Sequence, residues 1–242
     1  MLTRASKLAR LAVVPAWRRA LLRHRVAAGV EHSGMFRTVG DLHTVVDIGA
    51  NRGQFALAVR RWCPEARIIS FEPLTVPAQT YRAVFGEDPA VTLREAAIGA
   101  QREERVIHVS ARDDSSSLLP ISTVQSELFP GTFEVRGESV TVAPLADHVP
   151  NETVKPPALL KLDVQGFELQ ALEGCDALLP LFTWIYVECS FVELYEGQAF
   201  ADAVIAWLRA RGFGLRGMFN TSYDACGRSI QADFLFCLDE RR

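Results

Sequence analysis

Four short segments of this chain, 43–49, 67–73, 158–166 and 183–190, are apolar through their middles and lack polar–apolar alternation. A strand of that kind is buried on both faces, which an open antiparallel sheet rarely permits. Between the first two, Phe55, Ala58, Val59 and Trp62 recur at helical spacing until Pro64 stops them. A second helix is expected from Pro77 to Phe85, closed by Gly86, then a strand over 91–99. Further helices are expected over 167–179 and 199–212, the latter with Phe200, Val204, Trp207 and Leu208 on one face. Strands alternating with helices point to an α/β fold, a mostly parallel sheet with helices on both faces. The last two strands, around "FGLRGMF" and "ADFLFCL", flank a glycine-containing turn and read as antiparallel to each other. A chain of 242 residues, 49% hydrophobic, holds one such domain.

Two regions depart from the pattern. Segments 104–110 and 138–145 alternate with period two, as half-exposed antiparallel strands do, and enclose a polar, turn-rich stretch over 111–137. This β-hairpin insertion carries a long loop, a candidate lid. Residues 1–40 form a basic helical extension to the 41–242 domain, with a helix expected from Pro15 to Ala28 and ended by Gly29. Residues 1–30 hold seven basic residues and no acid, although the whole chain has net charge −3. The remainder is therefore strongly acidic, and nucleic acid is excluded as a general partner. The basic helix has two readings. It packs on the sheet or on a second copy of the chain in a homo-oligomer, or residues 1–30 make a peripheral membrane contact. The first is favoured. No segment is long enough to span a bilayer. Five cysteines without CxxC spacing read as buried, reduced thiols of a cytoplasmic protein rather than a zinc site.

The first strand runs into "VVDIGANRGQF", residues 45–55. In a doubly wound sheet, ligands bind at the carboxyl ends of strands, where strand order reverses. Gly49, Ala50, Asn51 and Gly53 let backbone approach a ligand closely, and the next helix starts there with free N–H groups. Asp47 is placed to accept hydrogen bonds from loop amides, from the ligand, or from both. Glu72 ends the second strand, where an acid takes the two hydroxyls of a ribose. The spacing is G-x-x-x-G with an acid ahead, not the G-x-G-x-x-G of a dinucleotide site. An Asp there repels a pyrophosphate and suits a ligand with a cationic amino-acid end, such as S-adenosyl-L-methionine.

With those residues, "SFEP", "EAAIG", "SSSLL", "LLKLDVQGFELQALEG", "IYVECS" and "QADFLF" in order over 43–238, the chain resembles the FkbM family of S-adenosylmethionine-dependent methyltransferases. The resemblance implies a Rossmann-like class I methyltransferase fold, seven strands with the last antiparallel, and methyl transfer to oxygen. It implies cofactor contacts at Ala97 of "EAAIG" and Ser116 of the serine loop. "LYEGQAF" resembles members that methylate sugar hydroxyls, so the expected acceptor is a small molecule or glycolipid.

Asp163, at the end of the fourth buried strand, is the first candidate for catalytic base; holding the cofactor is its other reading. Glu188, a second catalytic candidate, ends the fifth strand, and with Asp163 it could hold Mg²⁺, which is not favoured because no dense carboxylate cluster is present. Glu168, the third catalytic candidate, opens the helix after the fourth strand, where the helix dipole alone favours an acid. Lys161 lies in an apolar strand and needs a carboxylate partner, for which Glu188 is expected. Ser115 to Leu119 are candidates to cover the cofactor or substrate. His108 and His148 are weaker base candidates, and Tyr195 a candidate to shape the acceptor pocket. Two competing functions remain: a nicotinamide-dependent oxidoreductase, disfavoured by the missing glycine pattern, and a non-catalytic nucleoside-binding protein on the same fold.

Overall fold

The structure, a computed structural model, describes residues 4–239; the first three residues of the basic segment and the last three of the chain lie outside it. Helices α1 (Arg4–Val13), α2 (Pro15–His24) and α3 (Ser33–Val39) open the chain. The alternation then runs β1 (Thr44–Ile48), α4 (Gln54–Trp62), β2 (Arg67–Phe71), α5 (Thr75–Phe85) and β3 (Val91–Arg94). A detour follows through β4 (Ala97–Ile98), β5 (Glu103–Ser110), α6 (Thr123–Leu128) and β6 (Glu134–Ala143). The chain closes with β7 (Ala158–Leu162), α7 (Glu168–Cys175), β8 (Trp184–Ser190), α8 (Ala201–Arg209), β9 (Phe213–Tyr223) and β10 (Ser229–Leu238).

Seven strands form the main sheet in the order β3-β2-β1-β7-β8-β10-β9. β1 pairs in parallel with β2 and β7, while β10 is antiparallel to both its neighbours. This is the α/β Rossmann-like sheet, seven strands and mostly parallel, expected from the alternation of strands and helices. Strand order reverses between β1 and β7, so a crevice opens at their carboxyl ends.

Successive residues of a strand face opposite sides, and β1 shows the consequence. Val46 and Ile48 pack with Phe71, Leu160 and Leu162 on the α7–α8 side, whereas Val45 packs with Ile68 and Leu159 on the α4 side. Leu11, Trp17, Met35 and Phe36 belong to that second core, so the N-terminal helices cover one face of the sheet. Trp17 is 6% exposed, and its Nε1 donates to Leu57 O of α4 at 2.9 Å.

Local boundaries differ from expectation for identifiable reasons. The run 91–99 is two strands, because Ala97 and Ile98 leave the main sheet and pair in parallel with Val142 and Ala143 of β6. Their burial belongs to a small sheet, β4-β6-β5, not to a long central strand. Segment 111–137 is not all loop: it holds a tight turn at Asp113–Ser115 and α6, whose N-cap Ser122 accepts the Gln125 N–H. α2 ends four residues earlier than expected, with Arg25 rather than Gly29 in the left-handed conformation (φ 58°). The helix over 167–179 tightens to a 3₁₀ turn at Asp176–Leu181, which contains Pro180. Cys63, Cys175 and Cys189 are buried, but Cys226 sits exposed in the turn between β9 and β10. No helix among the described residues is long and apolar enough to cross a membrane.

Because Trp17 joins the extension to the core, Trp17→Ala is expected to lower unfolding free energy by about 3–5 kcal/mol. Urea denaturation followed by circular dichroism checks this; a loss under about 1 kcal/mol would mean the N-terminal helices contribute little to the core.

Candidate active site

The exits of β1 and β7 touch. Gly49 has φ +80°, and a Cβ on it would lie 1.9 Å from Asp163 O. Asp163 N–H in turn donates to Ile48 O at 3.1 Å. Any side chain at position 49 would therefore separate the two strand ends. The bend is pinned to β2 as well, since the N–H groups of Gly49 and Ala50 both donate to Phe71 O, at 3.0 and 2.9 Å. Asn51 (φ +45°) donates its N–H to Glu72 Oε2 at 2.9 Å, and its own side-chain oxygen accepts from Arg52 N–H and Gln54 Nε2.

Beneath the bend lies a buried ion pair. Lys161 Nζ stands 3.0 Å from Asp47 Oδ1 and donates to Gly49 O at 2.9 Å, with Asp163 Oδ2 at 3.8 Å. The Lys161 side chain is 5% exposed and that of Asp47 fully buried. Burial opposes the lysine's charge, but the Asp47 and Asp163 carboxylates outweigh it and hold the ammonium above the usual lysine range. Lys161 therefore stays protonated. The expected partner, Glu188, is not its partner: β7 pairs with β8 so that Lys161 faces Tyr186, two residues before Glu188.

A cavity of about 370 Å³ opens above these groups. Its wall contains Gly49, Ala50, Asn51, Glu72, Ala97, Ser116, Lys161 and Asp163. Glu72 is 5% exposed; its two oxygens accept the N–H groups of Asn51 and Leu74, and burial pushes its carboxyl up to about 7. Leu74, Ile98, Phe71, Phe167 and Leu118 make the apolar part of the wall. Ser115 to Leu118 come from the inserted sheet and close one side. Ser117 Oγ ties this loop to Gln165 O at 2.6 Å, and Arg52 from the β1–α4 bend ion-pairs with Asp113.

Several expected residues take other places. Asp47 is not on the wall: it lies under the bend, bound to Lys161, and receives no loop amide. Gly53 (φ +93°) faces Phe85 and Tyr81, so its missing side chain serves packing of α5. Glu168 is buried, and its Oε1 accepts the N–H groups of Val164 and Gly166. It anchors the β7–α7 turn, with burial raising its carboxyl to about 7. Glu188 stands behind the wall, accepting from Gln165 Nε2 at 3.0 Å and Gln231 Nε2 at 2.7 Å. Burial, then the Asp163 and Asp233 charges, push it well above the carboxylate range. Gln165 Nε2 also donates to Asp163 Oδ1 at 2.7 Å, so an amide occupies the place a cation would need between the two acids. Mg²⁺ does not fit there, and no group of three or more His, Cys, Asp or Glu among the described residues could hold a metal ion.

His108 pairs with Glu134 on the inserted sheet, and His148 packs edge-on to Phe71; neither is on the wall. Tyr195 is buried, and its hydroxyl donates to Gln165 Oε1 at 2.6 Å. Residues not anticipated are Gln165 (φ +56°), Gln231, Glu31 and His32, which all line the cavity. His32 lies 3.1 Å from the Tyr186 hydroxyl, which donates to Asp233 at 2.7 Å. Gln165 sits inside "KLDVQGFE", where a polar residue before a glycine was a usable signal. His32 had none, because only the fold brings the N-terminal helices to the strand ends.

With this geometry in hand, the chain matches the Methyltransferase FkbM domain over residues 47–215. It is 24% identical over 185 residues to Methyltransferase 1 of Beauveria bassiana, covering 71% of this chain and 72% of that one. It is 29% identical over 172 residues to the 2-O-methyltransferase NoeI of Sinorhizobium fredii, covering 66% and 69%. The fold recurs, at 10% identity and a TM-score of 0.50, in Streptococcus pneumoniae Sp1610, a putative tRNA (m1A22) methyltransferase solved in complex with S-adenosyl-L-methionine; the match covers 89% of this chain and 75% of that one.

Lys161→Met would leave the Asp47 carboxylate buried without its partner, and a loss of about 3–5 kcal/mol in unfolding free energy is expected. Adding Asp47→Leu should return much of that loss. Urea titrations of the single and double variants check both; a single variant as stable as the parent would contradict the pairing.

Proposed function

The chain belongs to the FkbM family of methyltransferases, and from that premise we propose that it transfers a methyl group from S-adenosyl-L-methionine to the oxygen of a hydroxyl, carried by a sugar of a glycolipid or other glycosylated metabolite. The observation that carries the reading is the convergence of Gly49–Asn51, Glu72 and Asp163 on one cavity at the switch point. The fit to an adenosyl compound is chemical. Glu72 offers a buried carboxylate to ribose hydroxyls, and Leu74, Ala97 and Ile98 offer apolar surface to a base. With Asp47 sequestered and Asp163 facing the acceptor, Glu31 and Gln54 are among the polar wall groups available to a charged amino-acid end. NoeI, named for 2-O-methylation, supports oxygen as the acceptor.

S-adenosyl-L-methionine supplies, when bound, a methyl group already activated by its sulfonium. The chain must align the acceptor and handle one proton. Asp163 is half-exposed at the cavity, held by Gln165 at 2.7 Å and by the Lys161 charge at 3.8 Å. It accepts the hydrogen bond, then the proton, of the attacking hydroxyl, an effect commonly worth about 10²–10⁴-fold. The serine loop at 115–117 excludes water from that side.

Asp163→Asn is expected to lower methyl transfer from labelled donor into a glycolipid fraction by about 10²-fold or more, with affinity for S-adenosylhomocysteine within about threefold of the parent. Unchanged transfer would remove Asp163 from the reaction. Glu72 gives a second test. An acid titrating near 7 is protonated at lower pH, and its hydroxyl-accepting form grows as pH rises. Calorimetry should therefore find S-adenosylhomocysteine bound about tenfold tighter at pH 8 than at pH 6, and bound weakly without that slope by Glu72→Gln. A flat profile in the parent would contradict the ribose contact.

A further inference from the structure

Of the fourteen arginines from Arg52 to Arg228, ten are ion-paired with a carboxylate among the described residues and four, Arg61, Arg67, Arg94 and Arg209, are not. On and next to α1 and α2 the unpaired ones cluster. Among the described residues Arg10, Arg19, Arg23 and Arg25 are exposed and have no acidic partner, and Arg18 reaches only Ala12 O. Lys7, paired with Glu31 at 3.0 Å, is the exception. The same two helices expose large apolar side chains: Leu8 is 58% exposed, Val13 78% and Leu22 75%.

Beside them lies a second cavity of about 360 Å³, an apolar groove between the N-terminal helices and α4. Trp17, Trp62, Val13 and Val30 line it, together with Arg10 and Arg61, and Arg61 also lacks an acidic partner among the described residues. The turn that carries Val30 on the groove carries Glu31 and His32 on the wall of the candidate active site. One turn of chain thus separates the groove from the reaction cavity.

We propose that α1 and α2 form a docking face for an anionic lipid bilayer. Unpaired guanidinium groups meet lipid phosphates, and Leu8, Val13 and Leu22 enter the apolar layer. Charge complementarity selects the partner: residues 1–30 are basic without an acid, while the rest of the chain is acidic and would be repelled from the same surface. A nucleic acid would use the arginines but has no need of exposed leucine and valine or of an apolar groove. Docking in this orientation sets the reaction cavity beside lipid-borne acceptors. The proposal does not depend on methyl transfer, so vesicle binding and the donor-transfer assay can fail independently.

The test is co-sedimentation of the full chain with vesicles of phosphatidylcholine alone or with one-third phosphatidylglycerol. Sedimentation with the anionic vesicles only, reversed by 0.5 M salt, is expected. Arg19→Glu/Arg23→Glu should weaken partitioning by about tenfold or more. Val13→Asp/Leu22→Asp, at exposed positions, should weaken it while leaving the melting temperature unchanged. Equal recovery of the parent in the supernatant with both vesicle types would overturn the proposal. So would full binding by the arginine variant, or tight binding to DNA or RNA without binding to vesicles.

Discussion

One ammonium group decides how the two central strands of this protein end. Lys161 Nζ reaches from β7 to the Asp47 carboxylate of β1 and to the carbonyl of Gly49, where β1 bends. A buried charge is tolerated only when it is paired and its hydrogens are satisfied, so the contact leaves little freedom to either strand. Gly49 completes the constraint, because nothing larger fits against Asp163 O. Together they fix the relation between the bend, which offers bare backbone, and Asp163, which offers a carboxylate. The acid ahead of the glycine bend is then a foundation of the site and not its surface.

The rest of the molecule supplies walls to this junction. β2 contributes Glu72, whose two oxygens are occupied by backbone amides in a way that leaves the carboxylate rigid. The inserted sheet contributes the serine loop, locked to Gln165 through Ser117. Gln165 is the hub of the opposite side, touching Asp163, Glu188 and Tyr195 through one amide. That single group bridges the two acids at the ends of β7 and β8. The N-terminal helices, joined to α4 through Trp17, bring His32 and Glu31 to the last open edge.

What could be read from the sequence follows from range. Strand and helix periodicity is local, and it located the parallel sheet, the switch point and the glycine bend. Glu72, Asn51 and Asp163 are legible as residues of the cavity wall because each sits at or just past a strand exit, where position alone implies exposure to the crevice. Asp47 and Glu168 sit at exits too, but a buried lysine claims the first and two turn amides the second; a residue string does not say which exit acids face inward. The partner of Lys161 is hidden from the sequence for a related reason. Residues two apart on a strand share a side, yet the register between strands, which sets Lys161 opposite Asp47 and Tyr186, is invisible until the sheet is assembled. His32 and Gln231 reach the cavity from opposite ends of the chain, and only long-range packing unites them. The run 91–99 shows the limit of hydrophobicity as a guide: burial was right, but two different sheets provide it.

A crystal structure of the protein with S-adenosylhomocysteine tests the account most directly. The ribose hydroxyls should lie within hydrogen-bond distance of Glu72, the adenine between Leu74 and Ala97, and the sulfur on the Asp163 side of the cavity, with Lys161 still bound to Asp47. A ligand seated elsewhere, or an Asp47 released from Lys161 to hold it, would contradict the account.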